Sequence, residues 1–147
     1  MPVPPEFERA STKFYEFLIA ARDNADLTTT HQAFTMTEGV LYAFRRRLTV
    51  KQALDFANEL PLLLRALFVG EWEPGEPARP FGTVEEITRE AQALRADHNY
   101  APASSISAVA RALRGHVYPD RFAAMLERLP PEAKALWRET LERPPQR

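Results

Sequence analysis

Apolar side chains at Phe34, Val40, Leu41, Phe44 and Leu48, with Thr37 among them, step along the chain by threes and fours, the spacing of one helix face. Ala53, Phe56, Ala57 and Leu60 do the same in the next segment. No stretch alternates apolar and polar positions long enough to predict a strand. Start signals fall where such runs begin. Thr29 with Gln32, Thr49 with Gln52 and Thr83 with Glu86 each place a hydroxyl three residues before an amide or carboxylate, the pattern of a capping box. Pro119, after Tyr118, suits the first turn of a helix, and Pro102 offers the same start. The pattern predicts helices near 8–25, 29–47, 50–59, 62–70, 83–96, 102–116, 119–128 and 131–142. The expected class is all-α.

The same pattern occurs twice. Shifted by 69 positions, Leu60-Pro61 falls on Leu129-Pro130, Ala66-Leu67 on Ala135-Leu136, and Val40, Ala43 and Arg45 on Val109, Ala112 and Arg114. These are seven identities between 40 and 67, where average residue usage gives about two by chance. The expected architecture is therefore two tandem four-helix repeats packed as one unit, residues 1–70 and 83–147, joined by a linker at 71–82. The linker region is rich in glycine and proline, which break helix and strand alike. Repeats of this size are marginal alone, so the two are expected to pack together. Leu60-Pro61 and Leu129-Pro130 read as structural joints: proline disfavours helix in the residue before it and opens the helix that follows. After the first joint, Leu62, Leu63, Leu64, Leu67 and Phe68 make an apolar run on more than one face, as a helix buried between neighbours needs.

Composition narrows the function more by exclusion than by assertion. The chain has 147 residues, 45% apolar and 27% charged, and a formal net charge of −1. A globular domain has that balance, and no global field draws in nucleic acid or anionic lipid. The chain has no cysteine, so disulfides, thiolate nucleophiles and cysteine-bound metal are ruled out. The N-terminus lacks the basic and apolar regions of a secretory signal, and Arg65 interrupts the longest apolar run. A cytoplasmic protein without membrane spans is expected.

The stretch from Val40 to Trp72 resembles the centre of a small bacterial family, domain of unknown function 2267. The likeness rests on Leu48-Thr49, Glu59-Leu60-Pro61, Leu64-Arg65 and Gly70-Glu71-Trp72, followed in the second repeat by Arg128-Leu129-Pro130 and Leu136-Trp137. It runs from about Phe14 to Trp137. It implies an all-helical fold of two related halves and implies no catalytic residue, cofactor or ligand.

Candidate chemistry is sparse. His31, His98 and His116 lie at no metal-binding spacing, and no HExxH motif occurs. Arg45, Arg46 and Arg47 offer a basic cluster, or equally a complement to the negative end of the helix that stops near Leu48. Glu71, Glu73 and Glu76 read as a solvated loop, and Glu85, Glu86 and Glu90 as acidic groups in the first turns of a helix. Ser104, Ser105 and Ser107 lack any nucleophile motif. Trp72, Phe81 and Tyr100 are the aromatics expected nearest the surface, as partner contacts or as cover for the seam between repeats.

Neither catalytic nor metal nor cofactor residues are assigned. The leading expectation is a non-enzymatic interaction module whose candidate surface comprises Trp72, Phe81, Tyr100 and Arg45–Arg47. Its partner would be another protein or a second copy, as in a homodimer. The alternative is a small-molecule binder or enzyme with its pocket at the seam. Convergence of His31, His98, or the carboxylates of Glu71 and Glu73 would mark that pocket. Nucleic-acid association through Arg45–Arg47 is the third reading and the least favoured.

Overall fold

The computed structural model describes the backbone of residues 3–142 and side chains through Trp137; the last five residues of the expected second repeat lie outside the described ones. Among the described residues every regular element is helical: α1 (Pro5–Glu8), α2 (Ala10–Asn24), α3 (Thr30–Arg45), α4 (Val50–Ala57), α5 (Leu62–Val69), α6 (Val84–Ala93), α7 (Ser105–Arg114), α8 (Pro119–Leu126) and α9 (Pro131–Glu142). A single 3₁₀ turn spans Ala96–His98.

All three capping boxes form. The hydroxyls of Thr29, Thr49 and Thr83 accept from the backbone N–H of Gln32, Gln52 and Glu86, and those side chains accept in return. Pro119 opens α8 as expected. A short helix, α1, precedes the expected start near residue 8, and two later boundaries differ by three residues. Helix α6 ends early because Leu94 turns extended and Arg95 takes a left-handed conformation, φ 51°. The Asn99 amide then donates to the freed carbonyls of Ala91 and Leu94 at 2.9 and 2.7 Å. Pro102 does not open α7; it supplies the carbonyl of a turn that receives the Ser105 N–H at 3.0 Å, and α7 starts after it.

Helix ends recur 69 positions apart. Helices α2 and α6 end at Asn24 and Ala93, α3 and α7 at Arg45 and Arg114, and α4 spans 50–57 where α8 spans 119–126. Packing crosses between these two sets. Helix α6 lies along α3, α2 lies along α7, and α3 and α7 touch each other. The core is thus a four-helix bundle to which each set contributes two helices. From Thr35 to Arg45 every residue of α3 is buried, as a central helix requires. Its closest approach is to α6, where a Cβ on Gly39 would run into the Ala91 carbonyl oxygen.

The other four long helices gather around one aromatic cluster. Phe56 of α4 sits 4.9 Å from Phe44, 5.1 Å from Phe68, 5.9 Å from Phe122 and 5.2 Å from Trp137, centroid to centroid. Edge and tilted arrangements of this kind stabilise beyond simple area burial. Leu60 and Leu129, the leucines of the two joints, are both buried. Helix α5 is less enclosed than its composition suggests: Leu64 and Phe68 are buried, Leu62 is half-buried and Leu63 is exposed. That leftover apolar surface borders a groove.

Candidate functional site

The three arginines at the end of α3 are used mainly inside the fold. Arg45 crosses to the end of α5, where its Nη1 donates to the carbonyls of Phe68 and Gly70 at 2.6 and 2.9 Å. Its guanidinium lies 4.5 Å from the Tyr42 ring centre and 5.7 Å from that of Trp72. Burial lowers the Arg45 pKa from its ordinary value. Arg47 donates from Nη1 to the Ala43 carbonyl at 2.6 Å and from Nε to the Phe81 carbonyl at 2.9 Å. Capping is therefore real, but only Arg47 caps its own helix; Arg45 caps another.

Glu90 of α6 collects the remaining charge. It accepts from Arg46 at 2.8 Å and from Arg47 at 3.0 Å, with Arg79 of the linker at 3.6 Å. Burial pushes its pKa up, but the hydrogen bonds from Arg47 and Arg46 outweigh this and hold it below the ordinary carboxylate range. Arg45 and Arg47 are both buried, which leaves Arg46 the more exposed of the three.

Of the aromatic candidates, Trp72 and Phe81 are half-buried against the core, with Phe81 6.3 Å from Phe44. They cover the fold rather than stand off it. Tyr100 is 59% exposed.

Two concave regions stand out among the described residues. The first, about 740 Å³, lies where the first Leu-Pro joint meets the α7–α8 turn. Leu60, Pro61 and Leu62 form its apolar side, with Pro5 of α1 and Val117 and Tyr118 of the turn. His31, His98, Glu71 and Glu73, the side chains expected to mark a pocket between the repeats, do not line it. Among the described residues its charges are Arg9, Lys13, Arg65 and Arg121 against Glu6 and Glu59, a formal excess of two positive charges. Glu59 pairs with Arg121 at 3.2 Å. Arg65 locks the joint by donating to the carbonyls of Ala57 and Leu60 at 3.1 and 3.3 Å. Arg9 is exposed, and so is Lys13, whose ammonium reaches the exposed Glu16 carboxylate at 3.5 Å. His116 stands edge-on to Phe17 at 6.0 Å, and burial depresses its pKa, opposed by Glu16 and aided by Lys13.

The second region, about 460 Å³, opens between α6, α7 and α9, with Phe81 on its wall. Among the described residues no group of three or more histidine, aspartate or glutamate side chains is placed to hold a metal ion. Ser105 is fully buried, whereas Ser104 and Ser107 line this second region. No helix among the described residues is long and apolar enough to cross a membrane.

Sequence reasoning missed Arg65 and Glu90 as organising residues. Arg65 was visible as a cation inside an apolar run. Glu90 carried no signal, because its hydrogen-bond partners lie 43 and 44 residues away. Between residues 14 and 136 the chain matches the model of a family described as Uncharacterized conserved protein (DUF2267). No curated protein matches it.

Proposed function

We propose that this chain, which belongs to the Uncharacterized conserved protein (DUF2267) family, is a non-enzymatic cytoplasmic interaction module that docks an acidic segment of a partner protein in its seam groove. The single observation that supports this most is the composition of that groove: an apolar floor at Leu60–Leu62 beneath an excess of basic side chains, on a chain whose net charge is −1. Apolar contact supplies affinity, and the basic rim supplies orientation and rate. The 69-residue correspondence of helix ends supports reading the chain as an internal duplication, with 1–70 and 83–147 as the two halves and 71–82 as linker. On that reading the groove lies between the halves. The enzyme alternative loses support because the side chains that would have marked a catalytic pocket lie elsewhere. The nucleic-acid alternative loses support because Arg45 and Arg47 are buried.

A labelled oligoglutamate peptide ending in leucines tests the groove. It should bind the full chain, release as salt is raised, and fail to bind R9E/K13E, in which two exposed side chains change sign without touching the core. Equal binding by that variant overturns the docking site. Concentration-dependent dimers that vanish on R9E/K13E and on changing Glu71, Glu73 and Glu76 to glutamine would identify the partner as a second copy of this chain.

A further inference from the structure

The four-helix bundle has three closed corners and one open one. Helix α2 packs on α3, α3 on α6, and α7 on α2, whereas α6 and α7 barely touch. The cleft of about 460 Å³ lies at that fourth corner. Its counterpart in the first half is the α2–α3 corner, and there two rings fill the space: Phe14 meets Phe34 edge-on, with centroids 6.1 Å apart and planes at 87°. The residues 69 positions further on are Thr83 and Ala103, both of which line the cleft. Neither lies within a helix, because α6 is five residues shorter than α2 and α7 six residues shorter than α3. The second half lacks the helical turns and the two rings that close the first.

What surrounds the opening suits a ring. Ile87 and Ile106 are buried beneath it, while Phe81 and Leu136 flank it. A phenyl group against Phe81 gains both area burial and the edge or offset contact that aromatic pairs prefer. One wall departs from this apolar character. Among the described residues Glu132 is the one charged side chain lining the cleft, and its counterpart in the first half is Leu63. The hydroxyls of Ser104 and Ser107 also line it.

We propose that this cleft binds a small molecule carrying a benzene-sized ring and an ammonium group, the ring occupying the space that Phe14 and Phe34 fill in the first half and the ammonium facing Glu132. Serine hydroxyls accept from the remaining N–H groups, as the few polar groups of an apolar site commonly do. The site shares no lining residue with the seam groove, so the two readings stand or fall separately.

The full chain titrated with 2-phenylethylamine and followed by amide NMR tests this. The wild type should show saturable shifts at Phe81, Ile106 and Leu136. Ala103→Phe returns one missing ring, and should weaken binding by about tenfold or more with the melting temperature held or raised. Glu132→Gln should weaken the amine by about threefold and leave benzyl alcohol unchanged. Absence of saturable shifts, shifts centred elsewhere, or full affinity in Ala103→Phe overturns the site. Equal loss of both ligands on Glu132→Gln overturns the ammonium preference. Should Ala103→Phe not fold, Ala135→Phe, at an exposed position of α9, blocks the cleft from the other wall and reads the same loss.

Discussion

At the scale of single residues, position in sequence says little about where a charge ends up. His116 follows the C-terminus of α7, where a cation is welcome. The structure turns it against Phe17, and burial favours the neutral ring. The unfolded chain therefore binds the His116 proton more tightly than the folded one. This contribution to stability is full above about pH 6.5 and is lost as the pH falls below that value toward the depressed folded one. Melting temperatures measured from about pH 7.5 down to 5.5 should fall, and His116→Gln should flatten that slope; an unchanged slope counts against the buried neutral form. The arginines make the same point. Their sequence suggested a helix terminus needing positive charge, which Arg47 confirms at Ala43. That Arg45 serves the carbonyls of α5 instead depends on a chain reversal 23 residues long, which no local pattern encodes.

At the scale of elements, most of the fold was legible, because helix starts are decided within four residues. Thr29, Thr49 and Thr83 each find their partner three positions away, so the sequence contains the whole interaction. Helix ends and contacts were less so. Nothing near Ala93 announces that Arg95 turns left-handed, and Gly39 reads merely as a weak point in a helix. The structure explains Gly39 by the approach of α6. Gly39→Ala would gain helix propensity of about 1 kcal/mol on an isolated helix, but here the added carbon meets the rigid Ala91 backbone. Overpacking of that kind costs about 1–3 kcal/mol, so chemical denaturation should show a net loss of stability. A gain would mean that α3 and α6 can separate freely. The open α6–α7 corner was hidden for a related reason: Thr83 and Ala103 look ordinary until set beside Phe14 and Phe34.

At the scale of the whole molecule, neither half is a finished object. The aromatic cluster draws Phe44, Phe56 and Phe68 from before the linker and Phe122 and Trp137 from after it. Helices α2 and α3 each cover a face of α7 or α6 across that same divide. Residues 1–70 produced alone should show little helical circular dichroism and no cooperative melt, whereas the full chain should unfold in one transition by both circular dichroism and tryptophan fluorescence. Two separate transitions would show that the halves stand independently.

The crossing of helices between halves also sets a clock. Helix α3 ends at Arg45, and the helix that covers Gly39 is not complete until Ala93. At ribosomal speeds those intervening residues take roughly 2–10 s to make. Through that interval the face of α3 that α6 covers has no native partner, so the hazard of this architecture lies in its synthesis, and a slow stretch of translation between α5 and α6 would lengthen the exposure.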